Sequence, residues 1–231
     1  MNNRLLSLLP VADQQRLLAD CDRVTLTQHQ IVIESEESIE YAYFPIDCVI
    51  SQLTLLSDGN VIESATIGNE GYVGLTSYLG SETSPLRYMV QVPGDAMRIP
   101  ATKLRDWVKG VPRLQVLLGR YGDFLLSAAS QTTACNRHHS VQQRCIRWLL
   151  RLHDRMPGDE FPLTQELLAQ MLGVRRASVS IAAGILQGAG LIRYTYGRVL
   201  ILDREGLEDA GCECADVIRR RYDSLFSSLL G

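Results

Sequence analysis

Between Leu163 and Gln187 the chain reads Leu-Thr-Gln-Glu-Leu-Leu-Ala-Gln-Met-Leu-Gly-Val-Arg-Arg-Ala-Ser-Val-Ser-Ile-Ala-Ala-Gly-Ile-Leu-Gln, and no other stretch so narrows the fold. Thr164 is placed to cap a short helix, with Leu163 and Leu168 at the flanking staple positions. Ala169 is small where a second helix must approach closely. Gly173 supplies the positive φ that a tight turn between helices needs. Leu168, Leu172, Val174 and Val179 form an apolar seam, which turns Arg175, Arg176, Ala177, Ser178, Ser180 and Ile181 outward. Cap, staple, small residue, glycine and seam together give the layout of a helix-turn-helix, whose second helix enters the DNA major groove.

Charge is distributed in keeping with that reading. The 231-residue chain carries a net charge of −3, but residues 137–204 hold ten arginines against five acids. The segments on either side are acidic, so the positive field is local to the helix-turn-helix, where phosphates must be neutralised. No apolar run nears the ~18 residues of a membrane span, and the N-terminus lacks a signal-peptide pattern, so a cytoplasmic protein with no membrane partner is expected. The six cysteines include no C-x-x-C pair. If Cys212 and Cys214 share a helix they face different ways, and adjacent His138 and His139 diverge likewise, so no metal site is expected.

The sequence divides into three parts. Residues 1–111 begin with leucines at helical spacing, then show short strand-like runs from Val24 to Ile99, with turn signals at Asp58-Gly59 and Pro93-Gly94. That is the pattern of a small antiparallel roll or barrel. Residues 112–136 form a long helix in which Leu114, Leu118, Tyr121, Leu125, Ala128 and Thr132 alternate steps of four and three. This is a coiled-coil seam and the expected homodimer interface. Residues 137–231 open with a helix over Val141–Met156, whose Arg144, Arg147, Arg151 and Arg155 make one stripe, expected to be largely solvated. The helix-turn-helix follows, then a hairpin turning at Tyr196-Gly197 that carries Arg193 and Arg198. One last helix is expected from near Arg204, including Arg219-Arg220-Arg221. The fold class is α+β: antiparallel β-roll, long dimerisation helix and winged helix-turn-helix.

This order resembles the Crp/Fnr family of bacterial transcription regulators, over nearly the whole chain. The likeness is strongest across Leu163–Leu186 with the following Gly190-Leu191-Ile192 and wing. It extends to Tyr43-Phe44-Pro45 and Ile67-Gly68-Asn69-Glu70-Gly71-Tyr72-Val73-Gly74-Leu75, which are similar to the family's effector-domain roll, a cyclic-nucleotide-binding-like jelly roll. The segments Cys135–Arg144 and Cys212-Glu213-Cys214 look typical of one branch. The resemblance implies double-stranded DNA, a second copy of the chain, RNA polymerase and an unassigned small-molecule effector as partners. It also implies that Arg176 contacts guanine and that Ser178 contacts phosphate. Ala177 and Ile181 stand where a glutamate and an arginine are common, so the operator is expected to differ, with thymine methyls suited to these side chains. Ser180 joins the base-reading set, while Thr164, Arg175 and Arg198 hold phosphates.

Cyclic-nucleotide binders of the family use a Gly-Glu pair and a following arginine. Here Leu75 follows Gly74, and Pro85 stands near the arginine position. The chain thus falls in a branch without the phosphate-binding residues, and no cofactor is expected, cyclic AMP and cyclic GMP included. No phosphate loop, nucleophile elbow or H-E-x-x-H helix is present, so no enzymatic activity is expected. A receptor module that signals through protein contacts, without sequence-specific DNA binding, is the alternative reading.

Overall fold

The computed structural model describes residues 3–227. After a 3-10 turn (Leu6–Leu8) and helix α1 (Val11–Ala19) come strands β1 (Asp22–Leu26), β2 (Ile31–Ile33), β3 (Tyr41–Pro45), β4 (Val49–Leu55), β5 (Val61–Ile67), β6 (Arg87–Val92) and β7 (Gly94–Pro100). They form a three-stranded sheet in the order β1-β7-β3 and a four-stranded sheet in the order β2-β6-β4-β5. Every pairing in the two sheets is antiparallel. The β4–β5 hairpin turns at Asp58-Gly59, where Asp58 accepts from the Asn60 backbone at 3.0 Å and Gly59 takes φ +84°. Phe44, Tyr72 and Tyr88 fill the roll, together with branched aliphatic side chains.

Three helices follow the sheets or interrupt them: α2 (Leu75–Tyr78), α3 (Ala101–Gly110) and α4 (Pro112–His138). The proline at the start of α4 suits a first-turn position, where its missing N–H is not needed. Gly119 and Gly122 are weaknesses by helix propensity alone, yet they admit α2. A Cβ at 119 would sit 3.1 Å from the Tyr78 hydroxyl, and one at 122 would sit 3.1 Å from Leu75.

The expected dimer seam is instead core. Leu114, Leu118, Tyr121, Leu125, Ala128 and Thr132 are all buried within the single chain. Spacing by threes and fours marks any helix laid on an apolar surface, not only one laid on a partner. Here the surface is the roll together with a last helix, α9 (Cys214–Ser227), whose Ile218, Tyr222 and Phe226 join the same cluster. Phe124 meets Tyr222 edge-on at 5.2 Å, and Tyr72 meets Tyr121 at 5.5 Å.

Helix α5 (Val141–His153) starts at Ser140, which forms a reciprocal capping box with Gln143. Its arginine stripe is not solvated, contrary to expectation. Arg147 and Arg151 are 5% and 6% exposed. Arg147 donates to Thr132 Oγ1 at 2.8 Å and to Asn136 Oδ1 at 3.2 Å. Arg155, just beyond the helix, binds Glu70 through Nε at 3.0 Å and Nη2 at 2.6 Å. The stripe faces polar and acidic groups of the roll and α4, which a helical wheel of α5 alone does not contain. The Gly68-Asn69-Glu70-Gly71 turn is shaped around this contact: a Cβ at 68 would lie 2.8 Å from Arg155 Cγ, and one at 71 would lie 1.9 Å from Tyr121 Cζ. Beside it, Trp148 Nε1 donates to Glu63 Oε1 at 2.9 Å, and the Ser51 hydroxyl lies 2.6 Å from Glu63 Oε2.

These dry ionic contacts have measurable consequences. Glu70→Ala strands the Arg155 charge and is expected to cost about 3–5 kcal/mol in urea unfolding. A loss under ~1 kcal/mol would contradict the importance of the pair. Arg151→Met is expected to be neutral or stabilising, because Arg151 Nη2 has no hydrogen-bond partner among the described residues. Burial, with Arg155 and Arg147 alongside, holds the Arg151 pKa down at about 9. Burial also raises the Glu63 pKa, against the opposing pull of Ser51, Thr66, Arg151 and Arg147. A carboxyl raised on folding penalises the native state as pH climbs past its unfolded value near ~4.3. Glu63→Gln is therefore expected to raise Tm more at pH 8 than at pH 4.5, and equal gains would refute the shift.

Candidate nucleic-acid interface

The C-terminal part builds a second core around α5, α6 (Gln165–Leu172), α7 (Arg176–Gly188) and α8 (Arg204–Ala210). A three-stranded sheet in the order β8-β10-β9 completes it, from β8 (Glu160–Pro162), β9 (Ile192–Thr195) and β10 (Arg198–Ile201). Val49, Leu53, Val61 and Val92 of the roll belong to the same cluster, so this winged helix-turn-helix part, the reader, is docked on the four-stranded sheet.

Thr164 caps α6, its Oγ1 accepting from the Leu167 N–H at 3.1 Å. Gly173 ends α6 with φ +62°, while Val174 N donates to Ala169 O at 3.0 Å. The turn is clamped from two sides. An Arg144 guanidinium N–H donates to the Leu172 carbonyl, and a Cβ at 173 would touch Ile62 of β5 at 3.3 Å. Leu168, Leu172 and Val179 are buried as the seam requires, whereas Val174 is half-buried.

Helix α7 buries Val179, Ala182, Ala183 and Leu186. Arg175, Arg176, Ala177, Ser180 and Ile181 are exposed, and Ser178 is half-buried. Arg176 Nε lies 3.9 Å from Glu166, a loose and solvated pair. The Ser180 hydroxyl reaches Gln165 Oε1 at 2.6 Å and Arg176 O at 3.1 Å, so its single proton is used within the protein. The side chains of Arg175 and Arg193 are exposed and form no hydrogen bond or ion pair among the described residues.

The outward face continues beyond the residues that the sequence singled out. Ile181 is 67% exposed, and Ile185, one turn on, is 49% exposed, with Gly184 beside it. The four-residue step from Ile181 to Ile185 was the available signal.

The wing turns at Tyr196-Gly197 with φ +48° and +76°, the pair of positive values a two-residue hairpin loop requires. Tyr196 is therefore fully exposed at the tip. Its base is knitted to the start of α6: Tyr194 donates its hydroxyl to Leu163 O at 2.6 Å, and Leu163 N donates to Gly197 O at 2.8 Å. Arg198 is half-exposed and bound to Glu160 at 2.6 Å. Thr164 is exposed beside it, since a Cβ at 197 would meet Thr164 Cγ2 at 3.4 Å. Thr164, Arg198 and the N-terminus of α6 thus form one edge, and the exposed stripe of α7 forms the adjoining face.

The roll offers little to a cyclic phosphate. Gly74 (φ +119°) precedes α2, and Leu75 packs on α4. Arg87, the arginine nearest the family position, donates to Glu34 at 2.8 Å and so is already neutralised.

The cysteine segments differ from expectation. Helix α8 ends at Gly211, so Cys212 lies in a short link and Cys214 begins α9, rather than both lying on one helix. Cys135, His139, Cys212 and Cys214 bring their ligand atoms within 4.8 Å of one another. Of the Arg219-Arg220-Arg221 run, each member holds a surface ion pair, with Asp216 or Asp123.

Residues 143–210 match the Crp-like helix-turn-helix domain. No curated protein matches the sequence. Among solved structures, FixK2 from Bradyrhizobium japonicum is similar with a TM-score of 0.72 at 16% identity, over 83% of this chain and 98% of that one. The c-di-GMP-responsive global regulator CLP of Xanthomonas campestris gives 0.67 at 18% identity, over 83% and 99%. A CRP-family transcriptional regulator from Thermus thermophilus gives 0.67 at 20% identity, over 81% and 95%. At these identities the likeness is one of fold. Residues 143–210 are a Crp-like helix-turn-helix domain, and the chain that carries it has the fold of these Crp/Fnr regulators.

Proposed function

We propose that the protein acts as a homodimer, each copy laying α7 into one major-groove half-site. The observation that carries this reading is the unobstructed outward face of α7, which combines Arg175 and Arg176 with Ala177, Ser180 and Ile181. Arg176 supplies the bidentate donor suited to guanine O6 and N7, and Ala177 and Ile181 suit thymine methyls. Thr164, Arg175, Ser178 and Arg198 hold phosphates and set the register. Ser180 is locked by Gln165, so it serves as an acceptor toward a base or as a support for Arg176.

Since the expected seam is buried, the partner meets the opposite side of α4. Val116, Asp123, Leu126, Ser130, Thr133 and Arg137 make an exposed stripe there at heptad-type spacing, and Leu126 is 70% exposed. A non-enzymatic role in the cytoplasm, RNA polymerase as a partner of the DNA-bound dimer, and an effector other than a cyclic nucleotide complete the proposal. The division into 1–111, 112–136 and 137–231 serves as a map of roles. It is not a map of separate bodies, because α9 packs back on α4.

Fluorescence anisotropy with duplexes selected from a random pool tests the reading. Arg176→Ala is expected to lose about 1–3 kcal/mol on the selected site and to relax sequence choice. Arg198→Ala is expected to weaken all duplexes alike and reduce the salt slope by about one. Glu160→Gln, which frees Arg198, is expected to strengthen them all. No selection of any sequence over random DNA would favour the protein-contact alternative. Leu126→Glu is expected to yield a folded monomer in analytical ultracentrifugation, and an unchanged dimer would move the interface elsewhere.

A further inference from the structure

We infer that Cys135, His139, Cys212 and Cys214 are the ligands of a single zinc-type divalent ion, bound where the long helix meets the reader. Such a site is independent of DNA binding, because metal content alone reads it out.

The geometry is that of a tetrahedral site. With Zn–S near ~2.3 Å and Zn–N near ~2.0–2.1 Å, tetrahedral sulfurs lie ~3.8 Å apart, and a sulfur and a nitrogen lie ~3.5 Å apart. Cys135 Sγ and Cys212 Sγ are 3.8 Å apart, and Cys214 Sγ and His139 Nδ1 are 3.5 Å apart. The 3.8 Å separation is far beyond the ~2.05 Å of a disulfide, and all three cysteines are free.

The surrounding groups are those a metal-bound histidine and thiolate require. His139 faces the sulfurs through Nδ1, and its other nitrogen, Nε2, lies 3.5 Å from the Glu213 carboxylate. A carboxylate on the outer nitrogen fixes the tautomer that leaves Nδ1 free to ligate. Gln131 donates its amide N–H to Cys214 Sγ at 3.1 Å. Arg147, on Thr132 and Asn136 in the last two turns of α4, brings positive charge near a site that would carry −1 with three thiolates and one dication. Three thiolates and an imidazole are soft ligands, which select zinc over magnesium or calcium. On binding, each thiol gives up its proton to solvent, three per ion, and no oxidant or reductant is needed.

The position gives such a site a mechanical role. Cys135 lies in the last turn of α4, His139 is its C-cap, Cys212 lies in the α8–α9 link and Cys214 opens α9. One ion therefore ties the long helix, its junction with α5 and the last helix together.

The test uses the full chain, purified anaerobically with a thiol reductant and analysed by plasma mass spectrometry. One zinc per chain is expected, and cobalt titration is expected to give thiolate-to-cobalt charge transfer with tetrahedral d–d bands. Cys135→Ser and Cys212→Ser are expected to lose the metal, whereas Cys48→Ser and Cys145→Ser are expected to retain it. Glu213→Gln is expected to weaken zinc binding about ten- to hundredfold. The cobalt spectrum of the unsubstituted protein keeps the inference testable even if a serine variant does not fold. Absence of stoichiometric zinc after loading, a cobalt spectrum without charge transfer, or iron with acid-labile sulfide in place of zinc would each overturn it.

Discussion

The contact on which the rest depends is the dry ionic join between the roll and the base of the reader. Arg155 and Glu70 are each 7% exposed in their side chains and share two hydrogen bonds, with Glu63 and Trp148 alongside. Two charges removed from water gain little net stability over well-packed apolar residues, but either one left alone is costly. Such a pair therefore favours one arrangement of the two parts over nearby alternatives. The glycines at 68 and 71 let Arg155, Glu70 and Tyr121 approach the turn, where a Cβ would clash with them. With α5 held there, α6 docks on β5 through Ile62 and Gly173, and the outward stripe of α7 is left uncovered among the described residues.

That arrangement bears on regulation. A signal that reaches the reader must favour one of at least two states, and the states must differ in contacts the signal can touch. The join offers two such sets of contacts: the buried carboxylates against the α5 arginines, and the cysteine–histidine cluster at the far end of the same helix pair. One lies at each end of α5, so in the proposed dimer both bear on the placement of α7 relative to the second copy.

Much of this was legible in the sequence wherever local chemistry decides structure. Thr164, Ala169 and Gly173 determine the helix-turn-helix within ten residues, and Tyr196-Gly197 and Asp58-Gly59 each specify a turn. The strands from Val24 to Ile99 were readable for the same reason. What was not legible depended on neighbours distant in sequence. The seam from Leu114 to Thr132 has the spacing of a dimer interface, but α9, about a hundred residues on, helps to bury it. The α5 arginines read as solvent-facing because Glu63 and Glu70 lie in a strand and a turn about 85 residues earlier. The cysteines lack a compact motif, since three segments contribute ligand atoms and the end of α8 at Gly211 brings two of them together. The exposed Ile185 and Tyr196 were missed on the face proposed to meet DNA, although helical spacing and turn chemistry pointed to both.

Two copies presenting α7 to one face of a duplex is the claim on which the functional reading stands. Hydroxyl-radical footprinting on a selected duplex tests it most directly. Two protected patches are predicted, separated by one helical turn, about 10–10.5 base pairs centre to centre. A single patch, or uniform protection along the duplex, would contradict it.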